Sequence, residues 1–460
     1  MVEDSKEKSI LKFFKFEPTP DQMKVLLNLE SFITNSSEDF LIINGAAGTG
    51  KTLLMSSCIA YLRDKGIANN LAAPTGRAAR ILASKAHVPC STIHSLIYNV
   101  NTDPEEGTIR FSLKENESTE YTVYIIDEAS MVSSQSESDQ ESLFEGGNCV
   151  LDDLIYYGKQ GNDLNKFIFV GDKNQLPPVK ESFSAALSSK FLKEKYNLEG
   201  TSLKLNTVKR QKTNSSLFKC INNIREVIEN TARDLGTEAY FSINTQAVAE
   251  HLYALDLTEN GHEYCTALAY NHSKNLQFNQ RVRSLLFNYP KEKLVPGELL
   301  IINRTLRKPE YTLYNGDHVI VKEIDLQNTE IIEGLEFAKV VIEATDISNE
   351  RFEIKDYILL DTLEKPKGLG KKKEKALHKI RKIQNKKYRD NGNAMEDPFL
   401  GAIRALYGYS ITIHKAQGGE WDKVYISDWY PPSKTYYNSK YTAFTRAKEE
   451  VFVYNLYKLH

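Results

Sequence analysis

Cysteine is scarce and scattered: five residues in 460, Cys58, Cys90, Cys149, Cys220 and Cys265, with no CxxC pair. That spacing argues against a disulfide framework or a zinc site and fits a reducing compartment. Long hydrophobic runs are missing as well; none approaches the ~20 residues needed to span a bilayer, so no membrane partner is expected. The first ten residues are charged and lack the apolar core of a secretory signal. A large net charge is also absent. At −2 overall, any surface for a polyanion has to be local rather than global. These absences point to a soluble, cytoplasmic protein.

What is present is ordinary in bulk and specific in place. With 41% hydrophobic and 26% charged residues, a chain this long is expected to split into two to four domains. The stretch Gly45-Ala46-Ala47-Gly48-Thr49-Gly50-Lys51-Thr52 follows the apolar run Phe40 to Ile43 and precedes Leu53 to Leu62, whose apolar residues recur at helical spacing. A glycine-rich turn between strand and helix lets main-chain N–H groups wrap a phosphate at a helix N-terminus. Lys51 would reach the β- and γ-phosphates, and the Thr52 hydroxyl would ligate Mg²⁺. The bland alternative is a glycine-rich βα turn, which the flanking strand and helix disfavour.

A second apolar run, Tyr121 to Ile126, ends in Asp127-Glu128. Such an Asp holds Mg²⁺ and such a Glu orients the attacking water, although two acids after a strand also serve as helix caps. A third run, Lys166 to Val170, ends in Gly171-Asp172-Lys173-Asn174-Gln175, where Gln175 is placed to sense the γ-phosphate. Three strands ending in polar residues fit an open parallel sheet with its ligand at the carboxyl ends. ATP with Mg²⁺ is the expected ligand.

The pattern divides the chain into an α/β domain over residues 1–204 and a second one assembled from 205–315 and 401–460. A smaller β unit of different composition is expected over 316–400. The first domain is interrupted twice. Residues 97–120 read as a small hairpin, from Leu96 to Val100 and from Thr108 to Leu113, and Ser133 to Asn148 reads as a flexible, solvated insertion. Residues 365–389 carry twelve Lys and Arg against one Glu, with Leu377, Ile380 and Ile383 as an apolar seam. That run is either a solvated face or a set of phosphate contacts. Near the C-terminus, Thr412 to Gly418 precedes a strand at Val424 to Ser427, and Thr442 to Arg446 precedes a last strand at Val451 to Tyr454. Arg446 is a candidate arginine finger.

In order along the chain, these motifs resemble superfamily 1B DNA helicases, the RecD-like and phage Dda-like branch that moves 5′ to 3′. Asp21-Gln22 resembles that family's adenine-reading Q-motif, and Ala73 to Ala79 and Ser91 to Leu96 its first-domain DNA-contacting motifs. Asp127 to Met131 and Gly171 to Val179 are similar to its second and third motifs. Lys209-Arg210 stands where the family has another phosphate-contacting arginine, and Ala267 to Arg283 resembles its second-domain strand and helix. Asn315-Gly316-Asp317 resembles the opening of an SH3-like insertion. Insertion 133–148 and basic run 365–389 depart from the shared core.

The resemblance implies two RecA-like P-loop domains, with a hairpin insertion in the first and an SH3-like β insertion in the second. ATP would lie between them. From the first domain come Gln22, Gly45, Ala46, Ala47, Gly48, Thr49, Gly50, Lys51, Thr52, Asp127, Glu128 and Gln175. Arg210, Gln417, Gly418 and Arg446 approach from the second. Single-stranded DNA and single-strand/duplex junctions are the implied partners, contacted by Thr75, His94, Thr412, His414 and Lys415. Phe111 is a candidate apolar face on a hairpin wedge, which reads otherwise as a surface loop; His94 is otherwise a packing histidine. A monomer is expected. Two other readings stay open: an RNA-stimulated translocase, and an ATP-sensing subunit of a larger DNA-processing or defence complex. No separate carboxylate cluster suggests nuclease or primase chemistry.

Overall fold

The structure, a computed structural model, describes residues 9–34, 37–102, 109–136, 144–145, 149–208, 215–346 and 350–455. Six parallel strands form the first sheet, in the order Ser91–Thr92, Ala68–Ala73, Thr122–Ile126, Lys166–Gly171, Phe40–Gly45 and Gly200–Leu205. The three central strands are buried at every residue, as both faces of a parallel sheet are covered by helices. Leu41, Ile43, Val123, Ile125, Ile168 and Val170 face helices Pro20–Thr34 and Lys51–Asp64. Phe40, Ile42, Tyr124, Ile126, Phe167 and Phe169 face helices Val150–Gly161 and Ser189–Tyr196 on the other side. This strict alternation puts the P-loop, Asp127 and Asp172 at one edge of the sheet, the carboxyl ends of neighbouring strands.

The second domain repeats the plan with four parallel strands, ordered Ser410–Thr412, Cys265–Ala269, Trp421–Ser427 and Ala447–Tyr454. The fold is thus α/β with two parallel sheets. Between helix His272–Leu286 and the strand at Ser410 the chain makes a five-stranded antiparallel sheet. Its order is Arg351–Leu359, Leu335–Thr345, His318–Ile332, Leu299–Ile302 and Ala405–Tyr407. The unit is therefore wider than the 316–400 read from sequence. Leu299–Ile302 and Ala405–Tyr407 pair with each other and close its edge, and that pairing is invisible when residues a hundred apart are read separately. Where the chain leaves the second domain, Arg283 pairs with the buried Glu298. Where it returns, Asn279 donates to Tyr407 O at 3.0 Å and accepts from Ser410 N–H at 2.6 Å.

The first interruption is a hairpin, Tyr98–Thr102 against Ile109–Leu113, with Val100 opposite Phe111. Its first strand starts later than Leu96, because Ile93–Ile97 is helical. Thr92 Oγ1 accepts from Ser95 N–H, and Ser95 Oγ accepts from Thr92 N–H, both at 3.1 Å, a reciprocal cap that starts a helix. Of insertion 133–148, read from sequence as flexible and solvated, the structure describes 133–136 and 144–145. Ser133 and Ser134 bind the Glu181 carboxylate at 2.6–2.9 Å, and Phe144–Glu145 adds a third, parallel strand to the hairpin. Residues 103–108, 137–143 and 146–148 lie outside the described residues. The seam predicted for the basic run is also corrected. Glu374, Leu377, His378 and Arg381 are buried, while Ile383 is 64% exposed. Ion pairs, described below, draw the charged residues inward and rotate the helix away from the apolar seam.

Candidate nucleotide cleft and nucleic-acid track

Gly48 (φ 80°) and Gly50 (φ 87°) adopt left-handed backbone, which L side chains rarely allow. Thr49 Oγ1 donates to Ala46 O at 2.8 Å and draws the loop into a ring. Lys51 Nζ donates to Gly45 O at 2.7 Å and Ala46 O at 3.1 Å, so the ammonium lies over the loop. A phosphate oxygen is a stronger acceptor than these neutral carbonyls. Gln22 is placed unexpectedly. Its Nε2 donates to Thr49 O at 3.0 Å and its Oε1 accepts from Thr19 N–H at 3.0 Å, so both ends of the amide brace the loop. A Cβ at Gly50 would lie 2.7 Å from that Nε2. Neighbouring Asp21 accepts N–H bonds from Asn206 and Thr207 at 2.8 and 2.9 Å and ties the helix to the sixth strand. Although burial opposes it, these bonds and the one from Thr19 pull its carboxyl down to about 2.

Asp127 and Glu128 follow the strand Thr122–Ile126. Asp127 is buried, and burial first, then Glu128, pushes its carboxyl up to about 6 despite the pull of Lys51. Glu128 is left-handed at φ 48°, a strained conformation for a side-chain-bearing residue, and its Oε2 is buried with no hydrogen-bond partner. Two adjacent carboxylates in low dielectric fit a divalent cation, which would relieve both. Thr52 and Asp127 are the residues that would hold Mg²⁺; bound there with a nucleotide, it would neutralise charge on the β- and γ-phosphate oxygens. Among the described residues no group of three or more His, Cys, Asp or Glu could hold a metal. Phosphate and water would therefore supply the other ligands.

The loop after the third strand meets the second domain directly. Asp172 is buried, and accepts from Asn174 N–H at 3.0 Å and from the Tyr441 hydroxyl at 2.8 Å. Leu176 N–H donates to Thr442 Oγ1 at 2.8 Å, Gln417 Nε2 to Leu176 O at 2.9 Å, and Asn438 Nδ2 to Asn174 O at 3.0 Å. Gln175 sits inside this seam, 2% exposed, with its Oε1 unpartnered. A buried amide oxygen without a donor costs about 1–3 kcal/mol, which a ligand water or hydroxyl would recover. Arg446 is 3% exposed, and its guanidinium donates to Thr442 O, Gly419 O and Thr445 Oγ1, each at 3.1 Å. Gly418 stands 3.2 Å, by a built Cβ, from Ala78 of the first domain. Arg210 lies outside the described residues.

A second set of contacts joins helix Gly76–Ala86 to the rest of the molecule. Arg77 stacks 4.6 Å from the Trp421 ring, and Arg80 pairs with Asp317 at 3.0 Å and donates to Thr345 O at 2.7 Å. Thr75 caps this helix, its Oγ1 accepting from Ala78 N–H at 3.2 Å. Thr412 is buried and accepts from Lys415 N–H at 3.3 Å. Lys415 Nζ donates to Asn303 Oδ1 at 2.7 Å, and burial pushes the amine down to about 8. His414 is held below the usual histidine range by burial and by His272. His94 and Phe111 form a three-ring cluster with Tyr98, all centroids 5.6 Å apart, at the root of the hairpin.

The candidates therefore gather at three places: the P-loop cleft, the Thr412–Lys415 turn, and the hairpin root. A fourth place escaped the motif search. A groove of about 820 Å³ between the two α/β domains is lined by Lys180, Phe183, Lys195, Tyr270 and Lys434. Val179 and Phe183 are exposed, at 69% and 49%, and Trp429 lies 6.5 Å from Tyr270. Tyr270 follows the strand Cys265–Ala269 directly, and Trp429 lies two residues past Trp421–Ser427. Aromatic residues just past a parallel strand were a signal available in sequence.

Family models match two parts of the chain: an AAA domain over residues 29–181 and a UvrD-like helicase C-terminal domain over 407–454. The ATP-dependent DNA helicase dda of Enterobacteria phage T4 is 25% identical over 478 aligned positions, covering 95% of this chain and 99% of that one. The likeness to that DNA helicase thus runs through nearly the whole chain. The ATP-dependent RecD2 DNA helicase of Deinococcus radiodurans is 28% identical over 139 positions, 30% of this chain and 16% of that protein. The crystal structure of the Pif1 helicase from Candida albicans shares the fold, with a TM-score of 0.52 at 16% identity and 95% of each chain covered. No helix among the described residues is long and apolar enough to cross a membrane.

Proposed function

We propose that this protein is an ATP-dependent DNA helicase that translocates 5′ to 3′ on single-stranded DNA and separates duplex ahead of it. The observation that carries the reading is the seam at 172–176. There an unpartnered Gln175 oxygen sits among four hydrogen bonds to Gln417, Asn438, Tyr441 and Thr442 of the other domain. A γ-phosphate contacted by Gln175 and Lys51 on one side and Arg446 on the other makes closure of the seam depend on the nucleotide. Glu128 orients the attacking water, and its hydrolysis product no longer bridges the two sides. Each cycle then opens and closes the groove at Phe183 and Tyr270, where bases stack on rings while Lys180, Lys195 and Lys434 follow phosphates.

Strand separation with ATP and Mg²⁺ tests this on matched duplexes carrying a 5′ or a 3′ single-stranded tail, with Lys51→Ala as the blank. Unwinding from the 5′ tail alone is expected. Unwinding from the 3′ tail alone refutes the direction, and DNA-stimulated hydrolysis without unwinding of either refutes strand separation by the chain alone.

A further inference from the structure

The basic segment is built into the five-stranded unit rather than laid on it. Helices Lys371–Gln384 and Lys386–Asn391 pack Leu377 and Tyr388 against Leu335, Phe337 and Leu359 of the long ribbon. The inner face is otherwise polar. Glu374 pairs with Arg404, Arg381 Nε donates to Asp397 Oδ2 at 2.9 Å, and His378 Nδ1 lies 2.7 Å from the Tyr388 hydroxyl. Buried ion pairs contribute more to orientation than to stability, and here they set which side of the helix points out. With 374, 377, 378 and 381 pinned inward, positions 372 and 379 lie opposite. Lys372, Lys373 and Lys379 are exposed, and Lys386 continues the row on the second helix.

Charge and position both point to one occupant. Residues 365–389 carry a net +11, which leaves −13 on the rest of a chain of net −2. The single acid of the run, Glu374, is turned inward, so nothing within the run neutralises its outer face. The segment also starts at the candidate track. Asn303 Nδ2 donates to Pro366 O at 3.1 Å while its Oδ1 accepts from Lys415 Nζ. Burial first, then Lys415 and exposed Lys367, disfavour protonation of His272, so Lys367 lies close to the candidate track.

We propose that Lys372, Lys373 and Lys379 form a second phosphate-binding face, which continues the track beyond Lys415 and holds DNA backbone outside the groove between the α/β domains. The inference rests on the DNA reading above. Lysines on flexible stems offer no fixed fork for base edges, so this face is blind to sequence and works through counterion release. It lengthens the footprint and leaves the nucleotide cleft untouched.

The test compares the wild type with the triple variant Lys372→Ala, Lys373→Ala, Lys379→Ala, and with a triple Lys→Arg control. Binding is measured across a salt series to an oligonucleotide of about 8 nucleotides, which fills the groove alone, to a long single strand, and to a forked duplex with a long 5′ tail. For the alanine variant, the salt slope on the longer ligands should fall by about 2, with a roughly 10- to 100-fold loss of affinity near 0.1 M salt. Short-oligonucleotide affinity and the ATPase it stimulates should stay unchanged, and the arginine control should keep the wild-type slope. Loss on the long strand and the fork together places single strand on this face, and loss on the fork alone places duplex there. An unchanged slope on every ligand overturns the proposal and leaves the face to solvent or an acidic protein. Equal loss on the short oligonucleotide also overturns it, because the lysines would then belong to the groove. A wild type that binds no DNA refutes instead the reading on which the proposal rests.

Discussion

The two parallel sheets present opposite kinds of edge to the cleft between them. On the first-domain side the polar groups are poised and incompletely bonded: the Glu128 and Gln175 oxygens lack partners, and Asp127 is buried beside Glu128. On the second-domain side the two cations are already bonded, Arg446 by three bonds at 3.1 Å and Lys415 to Asn303. The difference assigns the two edges distinct work. On the proposed function, the first would be a receptor whose unmet hydrogen bonds a ligand completes, and Arg446 and Lys415 would exchange existing bonds for new ones.

The strongest break of that asymmetry is Arg446→Ala. It should lower kcat for ATP hydrolysis by on the order of 10³-fold while nucleotide binding persists, as for a cation that acts on transition-state charge. Equilibrium nucleotide binding beside steady-state hydrolysis checks this, with Arg446→Lys separating loss of charge from loss of packing. Lys51→Ala removes one preorganised donor from the receptor edge and should cost roughly 10²–10³-fold in kcat. It should weaken nucleotide binding too, which the Arg446 variant does not.

Asp127→Asn sharpens the contrast because its two effects have opposite signs. The folded-state pKa of Asp127 is raised from 3.8 to about 6, so the folded state takes up a proton more readily than the unfolded one. Its penalty on the ligand-free fold is therefore absent below about pH 4 and grows as pH rises towards 6. The amide variant should melt higher than the wild type at pH 7 without nucleotide, yet hydrolyse ATP far more slowly. Mg²⁺ affinity of the wild type should fall as pH drops through about 6, where the ligand-free carboxylate takes up a proton. The smallest effect is expected from Tyr441→Phe, which removes one bond across the seam and costs about 1 kcal/mol. Stimulation of hydrolysis by DNA should drop several-fold while basal hydrolysis changes little.

Much of the receptor edge was legible because its chemistry is contiguous in sequence: Gly45 to Thr52, Asp127-Glu128 and Gly171 to Gln175 each sit at the end of an apolar strand. The second-domain edge was legible only through resemblance, since Arg446 acquires meaning from Gln175, far away in sequence. What sequence left hidden depended on side chains meeting over long distances. The motif at Gln22 suggests base reading, and sequence does not show that both ends of its amide also bond Thr19 and Thr49. Ile380 and Ile383 have the right spacing for a seam, yet the pairing of Glu374 with Arg404 and of Arg381 with Asp397 turns the helix another way. Leu299–Ile302 falls within the 205–315 assigned to the second α/β domain and instead pairs on both sides within the antiparallel sheet.

The five-stranded unit leaves and re-enters the second domain through two adjacent strands, each clasped by helix His272–Leu286, at Arg283 on the way out and Asn279 on the way back. A body hung from one strand can swivel; one hung from two parallel struts transmits torque. A rotation of the second domain would therefore turn the unit with it, and the lysine row that Glu374 ties to Arg404 beside the returning strand would follow.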